Sequence, residues 1–196
     1  MNILISLICV QNYTLFLSMQ KLSQIPINLQ NNQYLFQELI RRVTEIATSA
    51  QSPSDKLLHI CELMRYSISN YDWVGFYLVN PHKANELILA PYCGAPTDHT
   101  HIPFGTGICG QAASTLQTFI IEDVTAQTNY LACSLNVKSE IVVPIFYQNT
   151  LIGELDIDSH KASAFNKDDD DFLKKVGEIC AETIGEYLSN LFRTFT

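Results

Sequence analysis

The sequence predicts an α+β fold: one domain with a mostly antiparallel central sheet of about five or six strands and helices packed on it. Apolar residues recur at helical spacing in the segments before residue 70 and again near the C-terminal end. The middle of the chain instead holds short runs rich in aromatic and branched residues, the composition of a pleated, half-buried surface. Short turns join those runs, so neighbouring strands pair as hairpins and the order is antiparallel.

In chain order, residues 1–33 read as an N-terminal extension and residues 34–196 as the domain. Ile3 to Val10 and Leu15 to Leu17 are apolar, but Gln11 and Asn12 interrupt them and no Lys or Arg stands in front. A signal peptide needs a basic start and a small-residue cleavage site, and a membrane span needs about 20 apolar residues. Neither pattern is met, so a flexible extension or a native start at Met19 is expected. From Tyr34 to Ser49, Leu35, Leu39, Ile40, Val43 and Ile46 fall on one helical face. Ser52-Pro53-Ser54-Asp55 opens the next helix with Pro in its first turn, and Leu57, Leu58, Ile60, Cys61, Met64 and Ile68 form its apolar face. Trp73 to Val79 and Glu86 to Tyr92 read as paired strands around a turn at Pro81 to Asn85. Gly105 to Gly110 is a glycine-rich turn opening a short helix that ends near Leu116, and Thr118 to Ile121 is a strand. Glu140 to Tyr147 and Thr150 to Asp158 form a hairpin across Gln148-Asn149. A last helix runs from about Lys167 to Leu191, with Asp168 to Asp171 in its first turn, where negative charge suits the helix dipole.

Composition narrows the function classes. With 47% hydrophobic and 16% charged residues over 196 positions, the chain is globular. Its formal net charge of -8, without a basic cluster, opposes both a phosphate backbone and an anionic membrane surface, so neither nucleic acid nor membrane is an expected partner. The 6 cysteines are dispersed, with no CxxC pair. Reduced thiols in a cytoplasmic protein are the expectation.

The richest segment runs from Asn129 to Ser159. Cys133 falls between two strands and is expected on a loop, where a thiol meets a substrate. Glu140 opens an apolar strand, and Asp156 and Asp158 share a face of the next at period-two spacing. If the hairpin forms, these three carboxylates meet at one end of a sheet, a costly arrangement unless they bind a cation such as an ammonium group or share a proton. The alternative is that Asp156 and Asp158 only terminate a strand and cap a turn. Cys109 opens a helix, where the N-terminus favours a thiolate, or else packs inward as a small residue between glycines. Cys93, His99, His101 and Cys109 offer metal donors, but their spacing fits no zinc pattern, and a solvent- or substrate-facing histidine pair is preferred to a metal site.

Trp73-Val74-Gly75-Phe76-Tyr77, Ile102-Pro103-Phe104-Gly105, Gly107-Ile108-Cys109-Gly110, Ala132-Cys133, Ser139-Glu140-Ile141-Val142-Val143-Pro144 and Leu155-Asp156-Ile157-Asp158-Ser159 occur in that order. In combination they resemble the free methionine-R-sulfoxide reductases, a group of GAF-domain enzymes, from about Tyr34 to the C-terminus. The resemblance implies a GAF-type single domain that reduces free L-methionine-(R)-S-oxide to methionine. It implies Cys133 as the nucleophile that becomes a sulfenic acid, Cys109 as a second catalytic thiol, and thioredoxin as external reductant. Glu140, Asp156 and Asp158 would hold the sulfoxide and amino group, and Trp73 and Tyr77 would line the pocket at the methyl end. No bound cofactor and no metal are implied, and a homodimer is. One departure stands out: the family's usual resolving cysteine lies ten residues before Cys109, where this chain has His99. Cys109, or Cys93 as an alternative, would then resolve Cys133. The competing expectations are a non-catalytic GAF module that senses a small ligand, and a redox sensor in which Cys133 oxidation is the signal.

Overall fold

The computed structural model describes residues 31–126 and 136–193; Cys133 lies outside them. Helix α1 spans Asn31–Ala47, beginning slightly before the apolar periodicity, and fully buries Leu39 and Val43, one turn apart. Helix α2 spans Pro53–Ser67. Ser52 caps it in an extended conformation, its hydroxyl accepting from the Asp55 amide at 3.2 Å, and Pro53 fits the first turn because that position needs no amide donor.

Strands β1 (Trp73–Val79) and β2 (Glu86–Cys93) pair antiparallel, with Asn85 supplying a left-handed residue at the turn (φ 58°). A short strand β3, His101–Pro103, adds to the free edge of β2. Its three residues give no periodicity to read, and its position was not foreseen. Helix α3 (Gly107–Thr115), strand β4 (Phe119–Ile121) and a single 3-10 turn (Val124–Ala126) follow. Strands β5 (Ser139–Tyr147) and β6 (Thr150–Ser159) form the expected hairpin, with Gln148 and Asn149 both left-handed (φ 49° and 63°), as a two-residue connection with the right strand twist requires. Helix α4, Lys167–Arg193, closes the chain and carries Asp168, Asp169 and Asp170 in its first turn.

The six strands order as β3-β2-β1-β6-β5-β4, and every pairing is antiparallel. Side chains alternate between two faces, and the two faces differ in kind. One is covered by α1, α2 and α4 and holds the larger core, including Val74, Phe76, Leu78, Ile141, Val143, Leu155 and Ile157. The other carries Trp73, Tyr77 and Val142 under the short helix α3, whose Ile108, Cys109, Ala112 and Ala113 pack onto it. Among the described residues no helix is long and apolar enough to cross a membrane.

Candidate active site

The register of the central strands builds the site. On β6, Glu154, Asp156 and Asp158 point to the α3 face at period two, while Leu155 and Ile157 point into the helix-covered core. Across to β5, Asp158 pairs with Glu140, Asp156 with Val142 and Glu154 with Pro144. Across to β1, the same three acids pair with Trp73, Gly75 and Tyr77. The hairpin therefore joins Glu140, Asp156 and Asp158 as the sequence predicts, and they are buried rather than at an exposed strand end. It also adds a fourth carboxylate, Glu154, which the sequence reading passed over. The signal was present, since Glu154 continues the alternation of Asp156 and Asp158.

Cys109 meets these acids from α3. Gly105 and Gly107 take positive φ (85° and 64°) to turn the chain into the helix. Gly110 lets the helix sit against β3: a Cβ there would lie 2.4 Å from the Pro103 carbonyl oxygen. Cys109 is thereby buried in the first turn, with its Sγ 3.9 Å from Glu140 Oε1. Of the four described cysteines, only Cys109 belongs to this face. Cys93, the alternative resolving thiol, is placed on the other one. It pairs in register with Val74 and packs with the helix-side core near Cys61 and Tyr66. The sheet stands between it and Cys109, because adjacent strand residues face opposite ways.

Burial makes the acid set electrostatically tense. Both oxygens of Glu154, Asp156 and Asp158 lack a hydrogen-bond partner among the described residues. Desolvation pushes Asp156 up to about 7, with the nearby Cys109 thiol opposing the rise. Glu140 goes well above the usual carboxylate range, first through desolvation and then through Asp156, Asp158 and Glu154. Glu154 rises through desolvation and Asp156, and Asp158 through desolvation, Asp156 and Asp72. Crowded buried carboxylates hold protons near neutrality or welcome a cation.

Aromatic rings wall the site. The Trp73 indole lies over Gly75, where a Cβ would come within 2.2 Å of the ring, and stacks on Tyr92 at 5.2 Å between centroids. Its Nε1 donates to the Ala95 carbonyl at 3.0 Å. Trp73 and Asp158 share a recess of about 90 Å³ with Arg65, Asp72 and His160 on its walls. Arg65, Asp72 and His160 were not singled out in the sequence, because α2, the start of β1 and the end of β6 converge there only in three dimensions. Tyr77 stacks beside Trp73 at 6.3 Å, is fully buried, and donates its hydroxyl to the His99 carbonyl at 2.8 Å. It thus backs Trp73 and ties down the loop that carries His99. His101 is exposed, its ring meeting the Thr100 hydroxyl at 3.1 Å, and the metal-donor grouping that the fold assembles among the described residues is Cys109, Glu140 and Asp156.

Comparison with known proteins gives a consistent result. The GAF domain family model matches residues 50–184. A GAF domain-containing protein A of Dictyostelium discoideum is 34% identical over 78% of this chain and 94% of its own length. A free methionine-R-sulfoxide reductase of Escherichia coli is 31% identical over 74% of this chain and 86% of its own length. Among solved structures, a free methionine-R-sulfoxide reductase from Neisseria meningitidis, in complex with its substrate, is similar with a TM-score of 0.74 and 31% identity, covering 83% of this chain and 95% of that one. An antiparallel six-stranded sheet with the acids on its lightly covered face, joined to these similarities, places the chain in the GAF domain family, beside free methionine-R-sulfoxide reductases.

Proposed function

We propose that this protein reduces free methionine-R-sulfoxide to methionine, using Cys133 and Cys109 as its thiols and thioredoxin as reductant. The observation that carries this reading is the buried set of Glu140, Asp156 and Asp158 on the sheet face that also holds Cys109. A free amino acid brings an ammonium group and a polar S=O bond. Ionised carboxylates hold the ammonium, and a protonated carboxyl donates to the sulfoxide oxygen. The stacked Trp73 offers an apolar wall for the methyl end. The role of Cys133 rests on the family resemblance and on the similarity to the reductases.

The chemistry balances in three steps. The Cys133 thiol takes the sulfoxide oxygen, becoming a sulfenic acid while the sulfoxide sulfur gains two electrons and leaves as methionine. A carboxyl proton assists by meeting the departing oxygen. The Cys109 thiol then attacks the sulfenic sulfur, forming a disulfide and releasing water. Finally, the thioredoxin dithiol restores both thiols by exchange and is itself oxidised.

The test is NADPH consumption with thioredoxin, thioredoxin reductase and free methionine-R-sulfoxide. Turnover is expected in the wild type and background rates in Cys133→Ser. Cys109→Ser is expected to release methionine in a single turnover and then stall. A reduced, folded wild type that consumes no NADPH and releases no methionine sinks the proposal and leaves a ligand-binding GAF module as the better account.

A further inference from the structure

Around Cys109 the donors and acceptors do not balance. A thiol has one proton to give. Glu140 lies 3.9 Å from its Sγ, and Glu154 and Asp156 stand close by on β6, with both oxygens of each unpartnered and buried among the described residues. One thiol proton cannot serve three carboxylates: either they share protons of their own or they gather round a centre of positive charge.

The geometry names the kind of charge. Cys109 Sγ and one carboxylate oxygen each from Glu140 and Asp156 all lie within 4.8 Å of one another. In a tetrahedral zinc site, with bonds of about 2.3 Å to sulfur and roughly 2.1 Å to oxygen, neighbouring ligand atoms stand roughly 3.5 Å apart. Binding an ion would draw the three atoms together from that separation to the tetrahedral spacing. Calcium and magnesium prefer all-oxygen shells, while sulfur with carboxylate selects a borderline, thiophilic ion. Three protein ligands leave the fourth position open. Cys93 faces the helix-side core and His101 is exposed, so neither belongs to this set.

We propose that Cys109, Glu140 and Asp156 bind one divalent cation of the zinc class, and that the bound ion excludes the amino-acid substrate. Glu154 lies beside this set on β6, two positions from Asp156 on the same face. With the ion in place, Cys109 is a metal-bound thiolate unable to form a disulfide, and two of the carboxylates are engaged. The inhibitory consequence rests on the reductase reading above; the binding site does not.

The reduced, chelator-treated full chain is titrated with Co²⁺. The expected result is a sulfur-to-cobalt charge-transfer band with tetrahedral d–d bands, saturating at one ion per chain and displaced by Zn²⁺. Cys109→Ser abolishes the charge-transfer band, Asp156→Asn weakens cobalt binding by about tenfold or more, and Cys93→Ser leaves the spectrum unchanged. Because a core variant can fail to fold, zinc-loaded wild type is also read by X-ray absorption, where a single sulfur among oxygen ligands is expected. No charge-transfer band, a band that survives Cys109→Ser, or a zinc shell without sulfur or with several sulfurs overturns the site. In the NADPH assay, zinc is expected to inhibit competitively with the sulfoxide; zinc-loaded protein that turns over at the full rate overturns the exclusion. A chain without reductase activity still gives the cobalt spectrum, so the failure of one reading is distinct from that of the other.

Discussion

Glu154 is an uncomfortable side chain to bury. It is fully buried, both its oxygens lack a hydrogen-bond partner among the described residues, and Asp156 stands two positions along the same strand. Burial raises its protonation range above the ordinary glutamate value of about 4.3. The sign of the stability effect follows. Below about pH 4.3 the folded and unfolded forms both hold the proton, and no stability is lost. As pH climbs, the unfolded chain ionises first, so stability falls until the folded form titrates as well. Asp156 adds a similar loss between about pH 3.9 and about 7. The wild-type Tm is therefore expected to drop from pH 5 to pH 8. Glu154→Gln keeps the shape without the charge, and it should raise Tm at pH 8 while changing little at pH 5. A Glu154→Gln Tm that runs parallel to the wild type across this range would show that Glu154 is not the source. Glu140, Asp156 and Asp158 were legible from sequence because period-two spacing and one hairpin suffice to bring them together. Glu154 carries the same period-two signal, but inside the apolar run from Leu151 to Leu155 it reads as an ordinary strand residue.

At the scale of elements, β1 and α2 carry separable consequences. Gly75 makes room for the indole of Trp73, which is the protein's single tryptophan. Gly75→Ala forces that ring outward, at a cost of about 1–3 kcal/mol by overpacking. Intrinsic fluorescence reads this directly, and a red-shifted emission with a lower Tm is expected. Ser52 caps α2, so Ser52→Ala should cost about 1 kcal/mol in urea unfolding with emission unchanged. The long helices and the main hairpins were legible because periodicity and turn chemistry agreed over many residues. Strand β3 was not: His101–Pro103 is ordered by the edge of β2 and by the glycine turn after it, and nothing local demands a strand. The same limit applies to Cys93. It ends β2 one residue beyond the Glu86 to Tyr92 run that the sequence reads as a strand, and its facing is fixed by the pairing with Val74, beside the β1–β2 irregularity between Gly75 and Tyr77.

For the molecule as a whole, the sheet divides labour between its faces. Among the described residues, three helices cover the side with the larger core, and one short helix covers the side with the acids. Stability and chemistry should therefore respond to different substitutions. Leu57→Ala, deep in α2 and fully buried, is expected to cost about 2–5 kcal/mol. Turnover of the remaining folded protein at low temperature should stay near wild type. A comparable loss of turnover at full folding would show that the faces are coupled.

The alternation along β6 has a consequence for how the chain assembles. Glu154, Asp156 and Asp158 face one way, Leu155 and Ile157 the other, and β6 lies between β1 and β5. Should a newly made chain zip this strand one residue out of step, every side chain would change sides. Three carboxylates would then be pressed into the hydrocarbon beneath the helices, each at a cost of several kcal/mol. The mispaired hairpin would come apart before α4 could close over it, so the residues that make this strand costly to bury also proofread its alignment.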